Sequence, residues 1–182
     1  FRRIIGILLI IIGVVIIGDV AYKKIITLKK QKEIVKLFEN GFSEGTSTEG
    51  ATESSESVNL DEINGYKPIA IIEIPSINLS QALVEGISDN VLQYFLGHFP
   101  DSAAPGQVGN FAIAGHRVSD YTDAFINLYK VTAGDKIIVK THDKKYTYVI
   151  EENYIVKPDQ VEVLDATENA TITLITCTVG SK

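Results

Sequence analysis

The chain has 182 residues, with 17 Lys and Arg against 23 Asp and Glu, a formal net charge of −6 and 45% hydrophobic residues. That length suits one domain with accessory segments, and the acidic balance excludes a general nucleic-acid-binding surface. A single cysteine excludes an internal disulfide framework, and three scattered histidines without cysteine pairs offer no zinc-ligand spacing.

Arg2 and Arg3 precede an apolar run from Ile4 to Gly18, which Asp19 interrupts before Val20, Ala21 and Tyr22. A bilayer-spanning helix takes about 20 apolar residues, and the apolar core of a cleaved signal peptide takes about 7 to 15. No small-residue cleavage site follows the run. Residues 1–22 therefore read as an uncleaved membrane anchor, with Tyr22 at the headgroup level. Phe1 in place of Met points to a missing upstream segment. Lys23, Lys24, Lys29 and Lys30 outnumber Arg2 and Arg3, so charge alone does not orient the anchor.

In residues 23–40, Ile25, Leu28, Val35 and Phe38 recur among lysines, the pattern of a basic amphipathic juxtamembrane helix. It could lie on an anionic membrane surface or stand as a solvated stalk. Residues 41–65 are rich in Gly, Ser, Thr and Glu, and their composition predicts a disordered acidic tether.

The globular part, 66–182, reads as short strands. Strands are predicted at 69–74, stopped by Pro75, and at 77–79 and 82–84. Ser88 or Asp89 can cap a short helix carrying Val91, Leu92 and Phe95. An irregular loop covers 97–109, a strand 111–116, a short helix 121–128 and a strand 136–141. His142-Asp143-Lys144 then turns into a strand at 146–150, followed by strands at 153–156, 161–164 and 171–177. Many short strands with two brief helices make a β-barrel or a sandwich.

The chemistry sits at two strand ends. Thr171, Thr173, Ile175 and Cys177 share one face of a period-two strand; Ile172, Leu174 and Thr176 share the other. A lone thiol is commonly just a small hydrophobe. To act as a thiolate near neutral pH it needs a base or a cation, usually histidine. His116 ends the strand 111–116, with Ala112 and Ala114 on its own face, small enough to leave a groove, and Phe111 and Ile113 facing a core. His98, placed in a loop, is an alternative base, and His142 sits at a hairpin tip.

Thr173-Leu174-Ile175-Thr176-Cys177 and Ala114-Gly115-His116-Arg117, about sixty residues apart behind an anchor and a polar linker, resemble the two signatures of the sortase family of Gram-positive cysteine transpeptidases. The resemblance covers roughly residues 66 to 182. It implies a mainly β fold, a sortase-type eight-stranded β-barrel with short helices behind an N-terminal transmembrane helix. It also implies a single-pass protein of the cell membrane, N-terminus inside and catalytic domain extracellular. Cys177 is the implied nucleophile, attacking the Thr–Gly carbonyl of an LPxTG-type sorting signal, and His116 the implied proton carrier. Thr176, Leu174 and Ala114 would serve the substrate site, and Gly97-His98-Phe99-Pro100 matches a family loop near the groove. The acceptor amine would come from a cell-wall precursor (lipid II) or from a pilin lysine.

The resemblance implies no cofactor. Calcium modulation, known in part of the family, would fall to Glu151, Glu152 and Glu162, which a solvated acidic face explains as well. The family's arginine about eight residues past the cysteine has no counterpart before Lys182, and Arg117 would point to the other face of its strand. The expectation is a C-terminally truncated domain, lacking its last strand and inactive in that form. No Asp-Pro-aromatic lid segment precedes the barrel, which weighs against the pilus-assembling class. Two other readings share these features: a non-catalytic, adhesin-like β-module on a stalk, and a cysteine peptidase that hydrolyses its thioester.

Overall fold

The structure, a computed structural model, describes residues 2–43, 63 and 65–178, with side chains left out for 37–43. Most of the predicted tether, and everything after Thr178, lies outside the described residues. Helix α1 spans Arg2–Ser43. Strands β1 (Pro68–Ile74) and β2 (Leu79–Glu85) follow, then the one-turn helix α2 (Asp89–Leu92), β3 (Leu96–His98), β4 (Gly109–Ala114), β5 (Lys136–Lys140), β6 (Lys145–Val149) and β7 (Ala170–Ile175).

The seven described strands form one mixed sheet in the order β6-β5-β1-β2-β3-β4-β7. Tyr146 and Tyr148 from one edge strand, and Ile172 and Leu174 from the other, pack on the same core of Ile72, Leu83, Leu96, Phe111, Phe125 and their neighbours. Two edges sharing one core means the sheet curls into a nearly closed barrel.

Several predicted elements change. The segments at 77–79 and 82–84 become a 3-10 turn (Pro75–Ile77), a left-handed Asn78 and one continuous β2. No α-helix forms at 121–128; a 3-10 turn at Leu128–Lys130 ends an otherwise irregular loop. The segments 153–156 and 161–164 are not strands. They lie in a long β6–β7 connection whose only regular piece is a 3-10 turn, Val161–Leu164. Tyr154, Ile155 and Val161 are exposed there, so their hydropathy overstated how far the segment is buried. Asn153 Nδ2 ties the connection back to the carbonyl of Val131 at 3.2 Å.

The largest departure concerns α1, a single helix with no break between anchor and juxtamembrane part. From Lys23 to Val35 it packs against the barrel, neither lying as a free membrane-surface helix nor standing as a solvated stalk. Its buried stripe is Thr27, Gln31 and Ile34, at i, i+4 and i+7. Ile25 and Leu28, from the predicted apolar face, are 51% and 59% exposed. Gln31 explains the difference. Its Nε2 donates to the Tyr94 carbonyl (2.6 Å) and its Oε1 accepts the Ala82 N–H (2.8 Å). Pairing of β2 with β3 begins only at Leu83, so the side-chain amide completes the β2 edge. Losing that acceptor would cost about 1–3 kcal/mol for a buried amide left unpaired. Ile34 joins a buried apolar cluster with Tyr66, Ile71, Ala82, Val84, Val91 and Phe95, on which Val35 also packs. Lys30 lies over the rings of Tyr94 (4.0 Å) and Tyr66 (4.9 Å).

Candidate active site

Strands β4 and β7 are parallel neighbours, in register from Gly109↔Ala170 to Ala114↔Ile175. The Gly115 N–H donates to the Ile175 carbonyl at 3.1 Å, carrying the ladder one step beyond the two strands. His116 and Cys177 thus leave the same end of adjacent strands, each two residues past the last paired position. Ile172 and Leu174 pack inward on the core. Thr173 Oγ1 instead donates to Asn110 Oδ1 (2.7 Å), and Thr171 Oγ1 to the Gly109 carbonyl (3.3 Å), both on the β4 side. The alternation puts Cys177 with Thr173 and Ile175, and the thiol is free and exposed. Phe111 and Ile113 face the core, so the same alternation aims Ala114 and then the half-buried His116 outward.

A closed loop holds His116. Its carbonyl accepts the Phe125 N–H at 3.0 Å, and within the loop Ser119 Oγ donates to the Thr122 carbonyl and accepts the Thr122 N–H, each at 3.0 Å. Neighbouring Arg117 lies with its guanidinium 5.8 Å from the Tyr129 ring centre, a packing role beside the strand. Gly115 leaves no room for a side chain: a Cβ there would stand 2.5 Å from Leu96 Cδ2 and 2.7 Å from Phe125 Cδ2. Gly115→Ala is therefore expected to lower stability by about 1–3 kcal/mol, the usual cost of overpacking. Because the strain falls one residue from His116, turnover should drop further than the melting temperature alone accounts for. Thermal melts read beside steady-state rates check this.

The other sequence candidates fare differently. Ala112 is fully buried, so the predicted groove opens only at half-buried Ala114. Leu174 faces the core and supports the site from beneath. Thr176 Oγ1 is buried without a hydrogen-bond partner among the described residues, a polar atom with unused capacity beside the thiol. His98 is not in a loop. It ends β3, 5% exposed, with Nδ1 3.1 Å from Glu85 Oε1 and Nε2 3.0 Å from Ser102 Oγ. Both ring nitrogens are engaged within the fold, which makes it a structural histidine. His142 is exposed between β5 and β6. Glu151, Glu152 and Glu162 are exposed along the β6–β7 connection, and no three or more His, Cys, Asp or Glu converge among the described residues.

Sequence reading missed the loop after His116 as a contact of α1. Lys24 Nζ bonds Asp123 Oδ2, and Lys23 Nζ lies 3.6 Å from Asp120 Oδ2 and 5.5 Å from the Tyr121 ring centre. Two adjacent lysines and two aspartates about a hundred residues away carry no periodicity that would have paired them.

A parallel strand pair thus brings one exposed thiol and one imidazole to the same rim of a nearly closed barrel of seven described strands. The sortase domain model matches residues 72–182, and the chain belongs to the sortase family, whose members are cysteine transpeptidases. It is 29% identical to the sortase A of Bacillus anthracis over 96% of this chain and 85% of that one. It is 30% identical to the sortase A of Streptococcus agalactiae over 84% of this chain, spanning 62% of that relative's length. Among solved structures, a Clostridium perfringens sortase D5 transpeptidase superposes with a TM-score of 0.63 at 31% identity, covering 86% of this chain and 90% of the other.

Proposed function

We propose that the protein is a membrane-anchored transpeptidase that cleaves an LPxTG-type sorting signal between Thr and Gly and joins the new carboxyl end to an amine. The observation that carries this reading is the in-register exit of His116 and Cys177 from β4 and β7.

The Cys177 thiolate attacks the threonine carbonyl carbon. The C–N bond breaks as His116 hands a proton to the departing glycine amine, leaving a thioester on Sγ. His116 then takes the proton of an incoming amine, whose nitrogen displaces the sulfur and restores the thiolate. Ala114 leaves space beside the imidazole for the peptide, while the Thr176 hydroxyl, buried on the other face of its strand, shapes the site from beneath. The amine donor is a cell-wall precursor such as lipid II, or a lysine of a pilin-type protein. The exposed apolar stretch of α1 anchors the protein as a single pass with the barrel outside the cell.

The test incubates the full-length protein, in detergent micelles, with a panel of LPxTG-like peptides, with and without added amine, and weighs the products. Peptide–amine conjugates formed only with amine present are expected. Hydrolysis products alone, whatever the amine, would make it a peptidase. A folded protein that forms no thioester with any peptide would make it a non-catalytic surface module.

A further inference from the structure

We infer that the docked part of α1 holds the barrel with its His116–Cys177 end turned toward the bilayer. This rests on the reading that the apolar run Ile4–Gly18 lies in a membrane. The docked contacts come at two levels along one unbroken helix. Nearest the apolar run, Lys23 and Lys24 grip Asp120, Tyr121 and Asp123, the loop that follows His116. About 10 Å further along the axis, at 1.5 Å per residue, Gln31 meets Ala82 and Tyr94, and Ile34 joins the buried cluster that includes Val84 and Val91.

The same order runs along the barrel. β2 enters at Leu79, on the side of the His116 loop, and leaves at Glu85. β3 runs parallel to it and β4 runs back, pairing Gly97 with Ala114 and His98 with Ile113. The start of β4, at Gly109, is therefore the far end. A strand of that length spans about 20 Å, with exposed Val108 just before its start and exposed Val118 beyond its other end.

The grip on the loop is specific. Asp123 Oδ2 is held by Lys24, and Oδ1 is buried without a hydrogen-bond partner among the described residues. Lys24 is thus the group that neutralises a half-buried carboxylate, and Tyr121 adds an edge-to-face contact with Tyr94, 5.5 Å between ring centres. Because the docking contacts of α1 begin at Lys23, directly after the apolar run, the helix itself sets the distance from bilayer to barrel. The orientation restricts the substrate: the scissile carbonyl must be displayed close to the headgroups.

The test uses full-length protein carrying Cys177→Ala and one new cysteine, Val118→Cys or Val108→Cys, labelled with a fluorescent donor. The protein is reconstituted into phosphatidylcholine vesicles that carry a headgroup-linked acceptor. Energy transfer from position 118 should exceed that from position 108. Lys24→Glu should shrink the difference, and adding Asp123→Lys should bring it back. Equal transfer from the two positions, or more from 108, in protein that floats with the vesicles would overturn the inference alone. Protein that does not float with vesicles would overturn the anchor reading and the inference with it.

Discussion

Cys177→Ala should abolish thioester formation and peptide joining together, by several orders of magnitude, while leaving the barrel intact. Removing the nucleophile of a cooperating pair costs nearly the whole of the pair's contribution. The structural cost is small for a simple reason. Cys177 is exposed, lies past the last residue of β7 and belongs to neither core cluster. Exposed substitutions of this kind stay within about 0.5 kcal/mol of the parent. Mass spectrometry of the enzyme after incubation with peptide, paired with a thermal melt, separates the two effects. Residual joining at more than a trace would mean that another group attacks the carbonyl.

His116→Ala should lower the rate about 10²- to 10⁴-fold, the usual contribution of a positioned acid–base group. It should also slow alkylation of Cys177, because the thiol loses the neighbouring base that the proposed mechanism gives it. The second measurement needs no peptide, so it probes the pair even before a sorting signal is known. His98 cannot take over the role, since Glu85 and Ser102 engage its ring within the fold. A variant with unchanged alkylation and unchanged turnover would remove His116 from the mechanism.

How much of this was legible in the sequence depended on the kind of signal. The strand carrying Phe111 and Ile113, and the one carrying Ile172 and Leu174, alternate apolar and small or polar residues; both formed, though they end at Ala114 and Ile175, two residues short of the predicted ends at His116 and Cys177, and Phe111 and Ile113 face inward as read. The pairing of those strands was not legible, because periodicity reports a strand's faces and not its neighbour. The β6–β7 connection misled for the opposite reason. Tyr154, Ile155 and Val161 have the composition of a strand, and the chain exposes them in a long loop. Helix α1 shows a third limit. Its contact with the barrel combines an amide and three lysines with the apolar Ile34 and Val35, and hydropathy scores the first four as solvent-facing. Hydrogen-bond complementarity at the bare edge of β2 decided the matter, and only the folded partner could disclose it.

The parallel zipper between β4 and β7 also governs when the enzyme comes into being. Its partners are about sixty positions apart in the polymer, a separation that makes loop closure entropically slow. During synthesis, imidazole and sulfur stay strangers until residues 170–175 have emerged and found 109–114. Turnover is then a late readout of maturation. On the proposed mechanism, a lesion that delays β7 would silence the enzyme while far-ultraviolet spectra still reported an ordinary content of helix.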